Sequence, residues 1–270
     1  ENEFELATLT SDTMYIRVAN PTNEFDPINA TVYNQALSLT PGNVWRGEKG
    51  IKGFVARFNT LTSVQLDRRV FRGADISPFN PFVFDVENTA LVALNANVRN
   101  SIFFNRTETK YNLEYTLQEN RNKINLSTGF DVRTLREHLF RVRSNFVKDI
   151  TAIAKATFGN RGGRSGNYAD RNYDIRFYTA EPELIYLYKA KFRISLQYLY
   201  GRGENQLVGG AGEKTKNQQI TIDSRYSIVT KSSISLKFTY AAVEYSGAEN
   251  SAIEFAMLQG LKAGSNFLWT

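Results

Sequence analysis

From about residue 54 to residue 245, apolar and polar residues alternate with a period of two, and this pattern restricts the fold more than any other feature of the chain. Successive side chains on a β-strand point to opposite faces, so such a run makes one apolar and one polar face and does not fit the 3.6-residue repeat of a helix. In residues 192–200, Phe192, Ile194, Leu196, Tyr198 and Tyr200 alternate with Arg193, Ser195, Gln197 and Leu199. Residues 233–240 set Ile234, Leu236, Phe238 and Tyr240 against Ser235, Lys237 and Thr239, and residues 219–228 set Ile220, Ile222, Tyr226 and Ile228 against Thr221, Asp223 and Arg225. Upstream, Tyr111, Leu113, Tyr115 and Leu117 oppose Asn112, Glu114, Thr116 and Gln118.

About ten segments follow this rule: 54–66, 90–104, 111–118, 123–130, 135–146, 150–158, 173–187, 192–202, 217–228 and 233–245. No stretch shows a helical period. An antiparallel array of this size must close or fold over, because a large twisted sheet leaves exposed edges. The connections add a second regularity: 147–149, 188–191 and 229–232 are short, whereas 159–172 and 203–216 are long and glycine-rich. The expected fold is therefore all-β, an antiparallel transmembrane β-barrel or a large part of one, with short turns on one rim and long loops on the other. Residues 1–50, interrupted by Pro21, Pro27 and Pro41, read as an irregular lead-in with short strands at 14–18 and 33–39, and residues 51–270 as the barrel strands. The stretches 119–122 and 131–134 are either both turns or one lies within a long strand.

Composition agrees with this class. No apolar run reaches the roughly 18 to 20 residues of a membrane-spanning helix, and the mean hydropathy of −0.37 suits strands that expose apolar side chains on one face only. The chain has no cysteine, which excludes disulfides, thiolate metal sites and cysteine nucleophiles. Its net charge of +6 is compatible with nucleic acid, anionic lipid headgroups, an anion-lined lumen or an ordinary basic surface.

Sites for chemistry are sparse. The single histidine, His138, reads as a strand residue, no carboxylate pair stands out, and no enzyme is expected. The glycine-rich stretches 159–166 and 201–212 fit no dinucleotide or phosphate-loop pattern and read as loops. Glu1, Glu3 and Glu5 could close a calcium loop, or could be solvated carboxylates; no other cofactor is implied. Alternation places Arg57, Arg99, Arg193, Arg225 and Lys237 on the polar, lumen-facing side with Asp67, Glu114 and Asp223, which predicts a polar, mildly basic interior. It places Ile194, Leu196, Leu236 and Phe238 toward lipid, with Tyr186, Tyr188, Tyr198, Tyr200, Tyr240 and Tyr245 in interfacial girdles.

The phrases Asn2-Glu3-Phe4-Glu5-Leu6-Ala7, Tyr15-Ile16-Arg17-Val18, Phe103-Phe104-Asn105-Arg106-Thr107, Lys191-Phe192-Arg193-Ile194-Ser195-Leu196 and Leu258-Gln259-Gly260-Leu261-Lys262-Ala263-Gly264-Ser265-Asn266-Phe267-Leu268-Trp269 carry a resemblance over nearly the whole chain. It resembles the C-terminal β-barrel-like region of large uncharacterised outer-membrane-associated proteins of the Bacteroidota. The resemblance implies a Gram-negative outer-membrane location and a chain truncated at both ends, with an acidic start that is the tail of an aspartate-rich loop; it carries no catalytic motif. The expectation is a porin-like barrel that acts as pore or scaffold in an envelope complex for transport, secretion or assembly. Its partners would be outer-membrane lipid and other envelope proteins. The alternative is a soluble or surface-attached β-sheet protein binding an anionic polymer. That role needs aromatic platforms among basic residues, whereas here the aromatics share a face with aliphatics, so no nucleic acid is expected.

Overall fold

The computed structural model describes residues 3–6, 15–18, 27–73, 76, 80, 86, 88–126, 129–189, 191–207, 212–228 and 232–269. Strand β1 (Glu3–Leu6) pairs antiparallel with β2 (Tyr15–Val18). All other strands form one sheet: β3 (Ile28–Leu39), β4 (Phe58–Phe71), β5 (Leu91–Phe104), β6 (Tyr111–Leu126), β7 (Gly129–Val147), β8 (Ile150–Ser165), β9 (Tyr173–Tyr188), β10 (Phe192–Asn205), β11 (Lys214–Ile228), β12 (Ser232–Ser246) and β13 (Gly264–Trp269). The sheet has eleven strands, each paired with its neighbours in sequence, so the topology is an uninterrupted antiparallel meander. Among the described residues it does not close: β3 and β13 are its edges, and no ladder joins them. The all-β antiparallel expectation holds, and the sheet is open among the described residues.

The strands outrun the sequence segments. Residues 119–122 lie inside β6 and 131–134 inside β7, and the connection between these strands is 127–128, within a segment expected to be one strand. Long, charged strands look like turns to a rule that seeks apolar alternation. The glycine-rich stretches are likewise corrected: 159–165 belong to β8 and 201–205 to β10, which reduces the long loops to 166–172 and 206–213. Glycine within a strand marks close approach of neighbours. A Cβ on Gly163 would sit 2.4 Å from the Tyr173 ring. Part of the lead-in is also corrected, because β3 is a full member of the sheet.

Among the described residues two short α-helices interrupt the pattern, α1 (Gly50–Val55) and α2 (Ala252–Leu258), each too short to display a sequence period. Residues 54–57, expected to begin a strand, lie in α1 and the turn after it. The meander puts links 40–57, 105–110, 148–149, 189–191 and 229–231 on one rim, hereafter the turn rim. Links 72–90, 127–128, 166–172, 206–213 and 247–263 lie on the other, the loop rim. The rule of short turns opposite long loops therefore holds from β7 onward, while 127–128 and 40–57 depart from it.

Register adds a consistent stagger. The row Leu39, Thr60, Ile102, Tyr115, Phe140, Ala156, Ala180, Tyr200, Gln218, Ala242 joins directly opposed residues of ten strands. It begins on the last residue of β3 and ends ten positions into β12, from Ser232 to Ala242. Ten residues over nine steps, at about 3.3 Å per residue and 4.8 Å per strand, correspond to a strand tilt of roughly 37°. That value lies in the range of β-barrel walls.

Among the described residues a conventional hydrophobic core lies at the loop rim of β4 and β5. There Leu66, Val70, Leu91, Leu94 and Ala96 are buried with Ile76, and Tyr33, Val86 and Ala90 pack against them. The Arg68 guanidinium, fully buried, donates from Nη1 to the Asn80 carbonyl at 3.0 Å, and Lys123 Nζ donates to the Asn88 carbonyl at 2.8 Å.

The continuity of β6 and β7 is testable because the chain has no native cysteine. Asn120→Cys with Leu135→Cys, directly opposed on the two strands, forms a disulfide under mild oxidation, read as faster non-reducing migration. Asn120→Cys with Val132→Cys does not, because residues 132 and 135 point to opposite faces. The reverse result would contradict this register.

Candidate functional site

The sheet is inside out by the standards of a water-soluble protein. Small polar residues of one face are buried, while large apolar residues next to them in sequence are exposed. Ser195 is 6 % exposed and Leu196 48 %; Ser101 is 1 % exposed and Ile102 37 %. Thr221, buried, lies between exposed Ile220 and Ile222. Cross-strand partners share a face, so the pattern extends across the sheet.

The polar face is knitted together by hydrogen bonds. The hydroxyls of Ser101 and Thr116 lie 2.8 Å apart and those of Thr221 and Thr239 3.2 Å apart. Gln197 Nε2 donates to Glu181 at 3.2 Å. Arg141 pairs with Glu114 at 3.5 Å, Lys155 with Glu181 at 3.8 Å and Arg193 with Glu183 at 4.0 Å.

Of the basic residues expected on this face, Arg99, Arg193, Arg225 and Lys237 occupy it. Arg193 and Arg225 are directly opposed, and Lys237 is opposed to Asp223. Arg99 lies five strands away, between Ser63 and Gln118. Arg57 is not on a strand: it is exposed in the turn after α1, and its carbonyl accepts the Asn105 N–H at 3.0 Å. These residues therefore do not gather into one ring. The polar face also carries Glu137, Glu181 and Glu183, so its charge is mixed.

The opposite face has three zones. Near the turn rim lies an aromatic band in which Phe54, Phe58, Phe104 and Tyr111 stand in sequence with ring centroids 5.3, 4.9 and 6.4 Å apart. Exposed Tyr186, Tyr188 and Tyr226 continue it. The middle is aliphatic. Leu196, Leu184, Ile222 and Phe238 share one row, and Ile194 and Leu236 lie on the next, both opposite Ser224. A second aromatic band follows, with Tyr115 and Phe140 at 4.8 Å, His138 and Phe158 at 5.0 Å, and Tyr178 and Tyr200 at 6.2 Å. His138 Nδ1 is 2.9 Å from the Tyr115 hydroxyl, an ordinary wall position for the only histidine. Tyr245 is an exception to the girdle expectation, since it is opposed to Thr215 on the polar face. Along β9 the two bands span Tyr188 to Tyr178, ten residues, or about 33 Å along the strand.

Helix α2 lies over the polar face near the loop rim. Arg161, on that face, donates from Nη1 to the Ala256 carbonyl at 3.3 Å, and Met257 and Leu258 are buried. A Cβ on Gly203 would come within 2.9 Å of Thr215 Oγ1 on β11, while Met257 Cε would lie at an ordinary contact distance of 3.7 Å. Sequence reading missed this helix, although Ser251-Ala252-Ile253-Glu254 is a capping-box pattern and Ser251 Oγ accepts the Glu254 N–H at 3.0 Å. Among the described residues no carboxylate or histidine group is arranged to hold a metal. Glu1 of the suggested calcium loop lies outside the described residues, and Glu3 and Glu5 fall within β1. Comparison with family models, with curated proteins and with solved structures finds no match.

Because the Ser101 and Thr116 hydroxyls satisfy each other while buried, Thr116→Val should destabilise the fold by about 1 to 3 kcal/mol by leaving Ser101 unpartnered. Ser101→Ala combined with Thr116→Val should cost less than the single change. Urea unfolding of the three variants checks this, and strictly additive losses would contradict a buried polar pair.

Proposed function

We propose that this chain forms an arc of the wall of a β-barrel in the outer membrane of a Gram-negative bacterium of the Bacteroidota, as a scaffold or pore component of a larger envelope complex. The observation that carries the reading is the inside-out burial: large apolar side chains face outward beside buried small polar ones. Water disfavours such a surface, whereas hydrocarbon requires it, and the alternating pattern is that of barrel strands.

Three further features support it. The roughly 37° stagger is a barrel-wall tilt. At that tilt the 33 Å between the aromatic bands on β9 projects to about 26 Å, close to the apolar height of outer-membrane barrels. Tyrosine and phenylalanine concentrate at the two limits of the aliphatic zone, the depth that amphipathic rings favour.

The open edges bear on the role. Unpaired backbone N–H and C=O groups along β3 and β13 are too costly in hydrocarbon, so the wall is completed by strands additional to these eleven. The mixed charge of the polar face and the helix lying over it suit a scaffold with a filled interior better than a free anion pore. No reaction is proposed for this surface.

In refolding into lipid vesicles, Leu196→Arg should destabilise the protein by about 2 to 4 kcal/mol, the cost of arginine on a lipid face near the midplane. Gln197→Arg, on the polar face, should cost far less. A soluble sheet predicts the opposite order, since exposed Leu196 would accept arginine readily in water. Equal tolerance at both positions would remove the lipid-facing assignment.

A further inference from the structure

Immediately beyond the aromatic band nearer the loop rim, the outward face changes from apolar to charged, and a groove of about 710 Å³ opens there. Arg136 of β7, Arg176 of β9 and Arg202 of β10 line it. Strand parity puts all three on the outward face: Arg202 is opposed to Tyr178, Arg176 to Asn160, and Asn160 to Arg136. Among the described residues none of the three makes an ion pair. The carboxylates opposed to these arginines pair with other cations: Glu119, opposite Arg136, with Arg121, and Glu204, which lines the groove opposite Arg176, with Lys214 at 3.2 Å; Glu244 pairs with Lys216 at 3.0 Å.

The floor and lower lip of the groove differ in character. Gly159 and Gly203 contribute only backbone, and a Cβ on Gly159 would come within 2.2 Å of the Arg136 carbonyl, so a side chain there would displace the strand. The lower lip is apolar: His138 and Phe158 are stacked with planes 12° apart, and Tyr178 lies beside them. Below the lip the aliphatic zone continues without a charged residue on β8, where Ala156, Ala154, Ala152 and Ile150 face outward.

We propose that this groove binds the phosphate headgroup of a membrane lipid. Guanidinium groups present paired N–H donors that match phosphate oxygens, and three unpaired arginines in one concavity form an anion site. The adjoining aromatic lip and aliphatic zone distinguish a lipid from a free anion, because acyl chains attached to the phosphate continue over Phe158 and Tyr178 onto the apolar surface. The inference rests on the reading that this face meets lipid, and it names the chemistry of the lipid selected at the loop rim.

Native mass spectrometry of the full chain in detergent micelles tests it, with phosphatidic acid and phosphatidylcholine offered at equal concentration. Phosphatidic acid should be retained at least about tenfold better. Arg176→Gln alone should weaken retention roughly fivefold, and the triple change Arg136→Gln, Arg176→Gln, Arg202→Gln should abolish the preference, given about 1 kcal/mol per basic residue near anionic lipid. Arg143→Gln, on the polar face, should leave retention unchanged. Equal retention of both lipids, or an unaltered preference in the arginine variants, would overturn the proposal. So would displacement of phosphatidic acid by millimolar inorganic phosphate, which would mark a free-anion site. Heat-modifiable migration after refolding into phosphatidylcholine vesicles separates the two readings: a chain that inserts but shows no lipid preference refutes only the groove, and one that fails to insert refutes both.

Discussion

An unbroken backbone ladder runs from β3 to β13, and its register decides which side chains share a face. Because side chains alternate with a period of two, a slip of one residue at any interface would carry a strand's apolar set to the polar side. The register is therefore held from both directions. On one side, hydroxyl pairs such as Ser101 with Thr116 and carboxylate pairs such as Glu114 with Arg141 need their opposed partners. On the other, aromatic contacts such as Tyr115 with Phe140 need theirs. Slippage would break both sets at once.

The same ladder explains why the fold has so little ordinary core. A soluble sheet of this size would cover its apolar face with helices or a second sheet, gaining about 1.5 to 3 kcal/mol for each large side chain removed from water. Among the described residues the loop rim of β4 and β5 is covered, with Ile76, Val86 and Ala90 packed there, while the aliphatic zone from β8 to β12 has no covering element. Hydrocarbon would supply that cover. On the polar face, buried hydroxyls pair across strands, as Ser101 does with Thr116 and Thr221 with Thr239.

Much of this was legible from alternation alone. It places Ile194, Leu196, Leu236 and Phe238 on one face and Arg99, Arg193, Arg225 and Lys237 on the other, and the ladder agrees with each of those parities. It left 119–122 and 131–134 open between turn and strand, because these parts of β6 and β7 carry charged residues such as Glu119, Arg121, Asp131 and Arg133 in place of apolar alternation. It failed at glycines, since Gly159 and Gly203 serve strand packing although glycine-rich stretches suggest loops. Arg57 was misassigned because α1 is one and a half turns long and leaves no periodic trace. The groove of Arg136, Arg176 and Arg202 could not be foreseen, because it depends on the register of β7 to β10 and no spacing within one strand encodes it.

The central claim, that the apolar face meets lipid over a defined height, is tested most directly by site-directed spin labelling along β10. Single cysteines introduced at each position from 192 to 204 in this cysteine-free chain are labelled with a nitroxide after reconstitution in bilayers, and collision with oxygen, which partitions into lipid, is compared with collision with a water-soluble nickel chelate. The account predicts oxygen maxima at positions 192, 194, 196, 198 and 200, minima between them, and a change to nickel accessibility at 202 and 204 where the charged zone begins. An absence of alternation, or oxygen maxima at 193, 195 and 197, would contradict it.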